Sequence, residues 1–295
     1  MSDHLATYLQ HIEAAHRLGN DTEHTHRPAL KALLESLDDR VVATNEPKRV
    51  ACGAPDFVIA RKASALSLGY VEAKDIGVSL DEAKKSSQFK RYLPALSNLL
   101  LTDYLEFRWF VDGAERARFR LAVARDDGRL VPDLNAHTLA GKLLQEFLDR
   151  QPVRITSAEE LARRLARLTH LIRDTIVAAF QTGNASQLLQ DWRSVFAQTL
   201  LPELADPGRE AGFADMFAQT LAYGLFSARV FTGLSARFTL GDAAKLIPKS
   251  NPFLRNFFDL ITGAQLDDEP FVGFVHDLVT LLDYADMAAV LEDFG

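Results

Sequence analysis

Apolar positions define the first elements of the chain. Between residues 3 and 18, Leu5, Tyr8, Leu9, Ile12, Ala15 and Leu18 recur at helical spacing, and Gly19-Asn20 ends the run in the manner of a helix C-terminus. A second helix is predicted from near Thr22, where Thr22 and Thr25 give a partial cap signal, and it turns Leu30, Leu33, Leu34 and Leu37 to one face. The period then changes. Extended pieces are predicted at Val41 to Thr44, Asp56 to Ala60, Leu68 to Ala73, Asn98 to Thr102, Phe107 to Val111 and Arg116 to Val123. A single helix from about Leu80 to Leu96 interrupts them after the loop Asp75-Ile76-Gly77, with Pro94 marking a kink or an early end. Asp112-Gly113 is the strongest hairpin signal in the chain. Two helices, several strands, a crossover helix, a further strand and a hairpin predict an α/β layered domain.

Past Asp126-Asp127-Gly128-Arg129 strand signals fade and helical spacing takes over, so an α/β domain over residues 1–130 and an all-helical domain over 131–295 are expected. Ser157 with Glu160 forms a capping box ahead of a long amphipathic helix to about Gln181, closed by Gly183-Asn184. Further helices are predicted at Ser186 to Leu200, Arg209 to Val230, Gly241 to Leu246, Pro252 to Thr262 and Phe271 to Leu282, with Phe213, Phe217, Leu221 and Phe226 as core. No fixed period recurs, which argues against a solenoid. From Gln265 to Gly295 the chain has no Lys or Arg and eight Asp+Glu, with Phe271, Phe274 and Phe294 read as exposed, a pattern that suits a docking surface or a boundary.

Composition narrows the class. With 295 residues, 47% hydrophobic and 25% charged, the chain is an ordinary folded one rather than fibrous or wholly disordered. No apolar run approaches the ~20 residues of a membrane-spanning helix, and Met1-Ser2-Asp3-His4 lacks the order of a secretory signal, so a cytoplasmic protein without membrane contact is expected. The single cysteine, Cys52, allows neither an internal disulfide nor a multi-thiolate zinc site, and reads as a small buried residue. The net charge of −7 is unevenly spread: Arg40 to Arg125 holds 15 Lys+Arg against 10 Asp+Glu, a surplus of +5 that leaves −12 for the rest. Such a basic island can meet phosphates.

Candidate chemistry concentrates in Gly53-Ala54-Pro55-Asp56-Phe57-Val58-Ile59 and Gly69-Tyr70-Val71-Glu72-Ala73-Lys74. Side chains alternate along a strand, so Glu72 and Lys74 share one face while Val71 and Ala73 take the other. With Asp56 opening an adjacent strand, two carboxylates make a hard-oxygen site suited to Mg²⁺, and the carbonyl of Ala73 is a further ligand. Lys74 then stands where it can polarise or orient a water attacking phosphorus. Gln88 and Tyr92 are i and i+4 on the predicted crossover helix, where amide and phenol can bond the lysine, a ligand water or a phosphate. Lys84, Lys85, Lys90 and Arg91 add positive charge nearby.

The order Gly-x-x-Asp, Glu-x-Lys, Gln-x-x-x-Tyr resembles the PD-(D/E)XK nuclease superfamily, in its RecB-like branch with the glutamine and tyrosine, and the order of elements is similar to that fold. The resemblance implies a mixed central sheet flanked by helices, with Mg²⁺ as cofactor and Mn²⁺ able to substitute. It makes Asp56 and Glu72 metal ligands together with Ala73, Lys74 the water-orienting base or electrostatic stabiliser, and Gln88 with Tyr92 the supporting pair. It also implies an acidic ligand from an early helix, for which Glu23 is the first candidate and Glu35 the second.

A broader likeness spans most of the chain and is most specific over residues 22 to 110. Thr22 to Leu30, Thr44 to Arg49, Glu72 to Gly77 and Leu101 to Arg108 together resemble the amino-terminal part of large single-chain restriction-modification proteins of the type ISP kind, which join such a nuclease to an N6-adenine DNA methyltransferase. Phe213 to Leu225 is similar to the helical segment leading into their methylase. The likeness implies a Mg²⁺-dependent DNA endonuclease module of a phage-defence protein. Its partners would be double-stranded DNA and the parent's methyltransferase and target-recognition domains. No Asn-Pro-Pro-Tyr/Phe tetrad and no glycine-rich S-adenosylmethionine loop is present, and Asn251-Pro252-Phe253 lacks the second proline, so no S-adenosylmethionine site is expected here. The alternative is a catalytically silent DNA-binding or scaffolding region of an N6-adenine DNA methyltransferase.

Other patterns carry less. His4, His11, His16, His24 and His26 cluster early without an acidic partner at zinc-binding spacing. No Ser-His-Asp or Cys-His signature appears, and no Gly-x-x-x-x-Gly-Lys-Ser/Thr loop for an ATP motor. Arg163, Arg164, Arg167 and Arg173 along one helix are DNA contacts or, more simply, a solvated face.

Overall fold

The computed structural model describes residues 2–19, 22–45, 55–62, 67–150, 154–233, 237–246 and 251–293. Residues 2–45 with 55–150 form one unit and 154–293 a second. In the first, α1 (Ser2–His16) and α2 (Glu23–Leu37) lead into β1 (Val41–Asn45), β2 (Phe57–Arg61) and β3 (Ser67–Ala73). Helices α3 (Leu80–Ala83) and α4 (Ser87–Ala95) cross over to β4 (Asn98–Thr102), which β5 (Glu106–Val111) and β6 (Ala114–Arg120) follow. These six strands lie in one sheet in sequence order. All neighbours are antiparallel except β3 and β4, whose parallel pairing requires the crossover that α3 and α4 supply. The mixed α/β class is the one the sequence predicts.

One face of the sheet holds the apolar core. Leu5, Tyr8 and Ile12 of α1 and Leu30 and Leu34 of α2 join Phe57, Ile59, Val71, Ala73 and Phe107. On the opposite face β3 and β4 present Tyr70 and Glu72 beside Leu99 and Leu101, and α4 sets Phe89 against Phe110 of β5 with ring centroids 5.3 Å apart. The predicted hairpin is present, with Asp112 and Gly113 both at positive φ (47° and 85°), as its tight turn needs.

Several expected element bounds change. The single helix over Leu80 to Leu96 is two, because Ser86 Oγ accepts the Phe89 N–H at 3.1 Å and caps a new start where apolar spacing alone runs straight through. Pro94 lies in the last turn of α4. The strand predicted to Val123 ends at Arg120, and β7 (Ala122–Ala124) pairs instead with β8 (Leu130–Pro132). Beyond it α5 (Leu134–Asp149), capped by Asp133, buries Ala140, Leu144, Phe147 and Leu148 in the same core. The division expected at residue 130 therefore falls ahead of a helix that belongs to the first unit.

The second unit is helical: α6 (Ala158–Gln181), α7 (Gln187–Thr199), α8 (Glu210–Phe231), α9 (Leu240–Leu246), α10 (Pro252–Ile261), α11 (Val272–Tyr284) and α12 (Met287–Asp293). Ser157 Oγ accepts the Glu160 N–H at 3.4 Å, which starts α6 where the capping box predicts. Phe196, Phe213, Phe217 and Phe257 form an aromatic centre with centroids 5.1–6.1 Å apart. Phe271 and Phe274, read as exposed, are buried, and Phe271 meets Phe217 at 5.7 Å; Phe294 lies outside the described residues. Phe226 is only half-buried and lines a mostly apolar cavity of about 350 Å³ with Leu161, Leu165 and Ala222. Leu18, expected on the apolar face of the first helix, follows its end at His16 and is exposed. Among the described residues no helix is long and apolar enough to cross a membrane.

Candidate active site

The site begins where β2 starts and β3 ends. Phe57 pairs with Val71, so Asp56, just before β2, lies across from the last residues of β3. Its Oδ2 accepts the Ala73 N–H at 2.7 Å. The N–H and C=O of one strand residue point to the same edge, so the Ala73 carbonyl faces the side that Asp56 occupies. Alternation sends Glu72 to the face covered by α4, and Lys74 Nζ donates to Glu72 Oε1 at 2.6 Å. Both carboxylates are buried, Asp56 at 7% and Glu72 at 3% exposure, whereas burial of an uncompensated charge is costly.

Behind them α4 contributes its predicted pair. Gln88 Nε2 donates to Tyr92 Oη at 2.8 Å, one helical turn apart. Burial first, and then the nearby carboxylates of Glu72 and Asp56, push the Tyr92 phenol well above its ordinary value, so it stays protonated as a donor. Asp56 just before β2, Glu72 and Ala73 at the end of β3, Lys74 just after it, and Gln88 and Tyr92 on α4 thus make up the site.

The early helix brings a residue of another kind to Asp56. The side chain of Glu23 lies outside the described residues, as do Gly53 and Cys52. Glu35 accepts the Ala43 N–H at 2.9 Å and the Lys31 ammonium at 2.6 Å, which ties α2 to β1; partial burial opposes the shift, but these two partners hold its carboxyl below the usual range. The α2 side chain that does reach Asp56 is Arg27, buried and ion-paired to Oδ1. No motif marks this cation in the sequence. Its only sequence signal is position, one turn after Glu23 on the same helical face.

The turn after β4 holds the end of β3 in place. Lys74 N–H donates to the Thr102 carbonyl at 2.8 Å. Asp103 Oδ1 accepts the N–H groups of Leu105 and Glu106 at 3.1 and 2.6 Å, and Oδ2 that of Gly77 at 3.4 Å. Burial raises the Asp103 carboxyl despite those donors. Tyr104, at φ 69°, has its carbonyl fixed by Tyr8 Oη at 2.7 Å and its ring 5.1 Å from His26, the neighbour of Arg27.

Surface charge is more committed than the sequence suggests. Lys84 pairs with Glu115 at 2.8 Å and lies over the Phe110 ring, and Lys85 pairs with Glu82 at 2.6 Å, while Lys90 and Arg91 are exposed. On α6, Arg163 and Arg164 pair with Glu159 and Glu160, and Arg173 with Asp174, which is the pattern of a solvated helix face.

Asp56, Glu72 and the Ala73 carbonyl are hard oxygens of the kind Mg²⁺ and Mn²⁺ prefer, and cations with several retained waters need few protein ligands. In donor chemistry the residues fit such an ion, although among the described residues no cluster of three or more His, Cys, Asp or Glu forms.

No family model and no curated protein matches the chain. It is similar to a chain in the cryo-EM structure of a DrdV–DNA complex, at 21% identity over 52% of this chain and 100% of that one, with a TM-score of 0.39. A likeness of that extent defines no chemistry, and the functional reading rests on the residues themselves.

Proposed function

We propose that the α/β unit is the Mg²⁺-dependent DNA endonuclease module of a restriction-modification protein that works in the cytoplasm and hydrolyses phosphodiester bonds. The observation that carries this reading is the joint burial of Asp56 and Glu72 at the ends of adjacent strands, with Lys74 on Glu72 and Tyr92 held behind them by Gln88. Asp56, Glu72 and the Ala73 carbonyl would hold Mg²⁺, or Mn²⁺ in its place. Bound there, the cation would supply positive charge to stabilise the phosphodiester as negative charge develops on it. Lys74, anchored by Glu72, would orient the attacking water and add its own charge to that stabilisation. Tyr92, protonated across the working pH range, would donate a hydrogen bond toward the carboxylates and fix their orientation. Double-stranded DNA as substrate, and methyltransferase and target-recognition domains as partners, follow from the sequence likeness over residues 22 to 110; no S-adenosylmethionine site is proposed in this chain.

The second reading, a silent DNA-binding or scaffolding region of an N6-adenine DNA methyltransferase, has one observation in its favour: Arg27 and Lys74 already neutralise both carboxylates. Cleavage of supercoiled and linear DNA by the purified chain separates the two. The nuclease reading expects cutting with Mg²⁺ or Mn²⁺ that EDTA abolishes and that Glu72→Ala and Lys74→Ala each reduce by about 10²-fold or more, the scale of losing a transition-state stabiliser. Cutting that survives both substitutions, or its absence with either cation, favours the scaffold.

A further inference from the structure

We propose that Arg27 is a resident counter-ion of the site, which holds Asp56 when no divalent cation is bound and competes with one for that carboxylate. The inference rests on the cation site proposed above and goes beyond it in assigning a role to a residue outside the motif. Asp56 is buried with one oxygen on the Ala73 N–H and the other on the Arg27 guanidinium, which is itself buried. A buried carboxylate without a positive partner is strongly disfavoured, so the metal-free fold needs a cation in this position. Arg27 meets that need from α2, whereas Lys74 meets it for Glu72 from two residues further along the chain.

Placement makes the guanidinium a fixed presence. Arg27 lies in the second turn of α2, next to His26, whose ring is wedged between Tyr104 and His16 at centroid distances of 5.1 and 6.5 Å. The same guanidinium must then oppose an incoming ion. A cation beside a carboxylate within ~4–6 Å lowers its proton affinity by about 10- to 1000-fold, and the same field acts on a divalent ion with twice the charge. Arg27 would thus keep the site closed to cation at low concentration and stabilise the chain until one binds.

The test uses the full chain and Mn²⁺ alone. Calorimetric titration of wild type, Arg27→Gln, Arg27→Lys and Glu72→Ala is expected to show Arg27→Gln binding Mn²⁺ at least about tenfold more tightly than wild type, Arg27→Lys close to wild type, and Glu72→Ala not at all. Thermal melting supplies a second readout. In EDTA Arg27→Gln should melt below wild type, and saturating Mn²⁺ should close that gap, because an ion that binds the variant more tightly stabilises it more. A purely structural role for Arg27 would leave the gap equal with and without Mn²⁺. Equal affinity in wild type and Arg27→Gln, with binding lost in Glu72→Ala, overturns the counter-ion proposal and leaves the cation site standing. Weaker binding by Arg27→Gln overturns it as well. If no variant differs from Glu72→Ala, both the proposal and the cation site fall.

Discussion

Asn98 opens β4 with its side chain buried at 3% exposure. Its amide nitrogen donates to the Leu68 carbonyl at 2.6 Å and to the Phe147 carbonyl at 3.0 Å, and its oxygen accepts the Trp109 indole N–H at 2.7 Å. One side chain therefore joins β3, β4, β5 and α5, and Asn98→Ala removes all three bonds. The indole N–H, on a ring 5% exposed, and at least one carbonyl lose a partner in the interior. At about 1–3 kcal/mol for each buried group left unsatisfied, the expected loss is about 2–6 kcal/mol. That is a large part of the ~5–15 kcal/mol that holds a domain together. The chain has two tryptophans, and Trp109 and Trp192 fall in different units. The Trp192 indole N–H has no hydrogen-bond partner among the described residues, so Trp192→Phe breaks no hydrogen bond there and leaves Trp109 as a reporter of the sheet. In that background, urea unfolding followed by Trp109 emission should show the Asn98→Ala midpoint lowered by about 0.7 M or more, given a urea dependence of ~1–3 kcal/mol/M. A shift below about 0.3 M with unchanged slope would refute the reasoning that these bonds seat β4, and with it the support that the Thr102 carbonyl gives to Lys74.

Two further outcomes are expected. A Cβ at Gly224 would lie 2.3 and 2.6 Å from ring atoms of Phe258, so Gly224→Ala should lower the stability of the helical unit, read by Trp192 emission, by about 1–3 kcal/mol; Gly212→Ala, whose nearest contact is 3.5 Å, should be tolerated. The Asp38 carboxyl is held well below its usual range, first by hydrogen bonds from Arg40 at 2.9 Å and then by Arg61 at 2.5 Å. A depressed folded-state value stabilises above the unfolded value and loses that contribution as pH falls through it. The melting-temperature gap between wild type and Asp38→Asn should therefore be full at pH 7 and shrink below about pH 4, near the unfolded carboxyl value; a gap unchanged down to pH 3 would contradict the assignment.

Local rules made part of this molecule legible in the sequence. Strand parity alone placed Glu72 and Lys74 on one face, and their 2.6 Å contact follows from it. The i, i+4 spacing placed Gln88 on Tyr92 in the same way. What escaped had other causes. The break at Ser86 depends on a serine cap inside a run whose apolar spacing stays helical. Helix α5 buries Ala140 and Gly141 beside Leu144, small residues that weaken an apolar pattern. Phe271 and Phe274 lie in a stretch without cations, where composition suggests a solvated surface, yet both rings are buried, and so is Glu269 beside them. Arg27 meets Asp56 across 29 residues, a contact that only tertiary folding creates.

The central claim is that Asp56 and Glu72 form one cation site. It is tested most directly by calorimetric Mn²⁺ titration of the wild-type chain beside Asp56→Ala and Glu72→Ala, with circular dichroism confirming that each variant is folded. The account predicts one binding event in the wild type that disappears in both variants. Binding that persists unchanged in either variant, or none in the wild type, would contradict it.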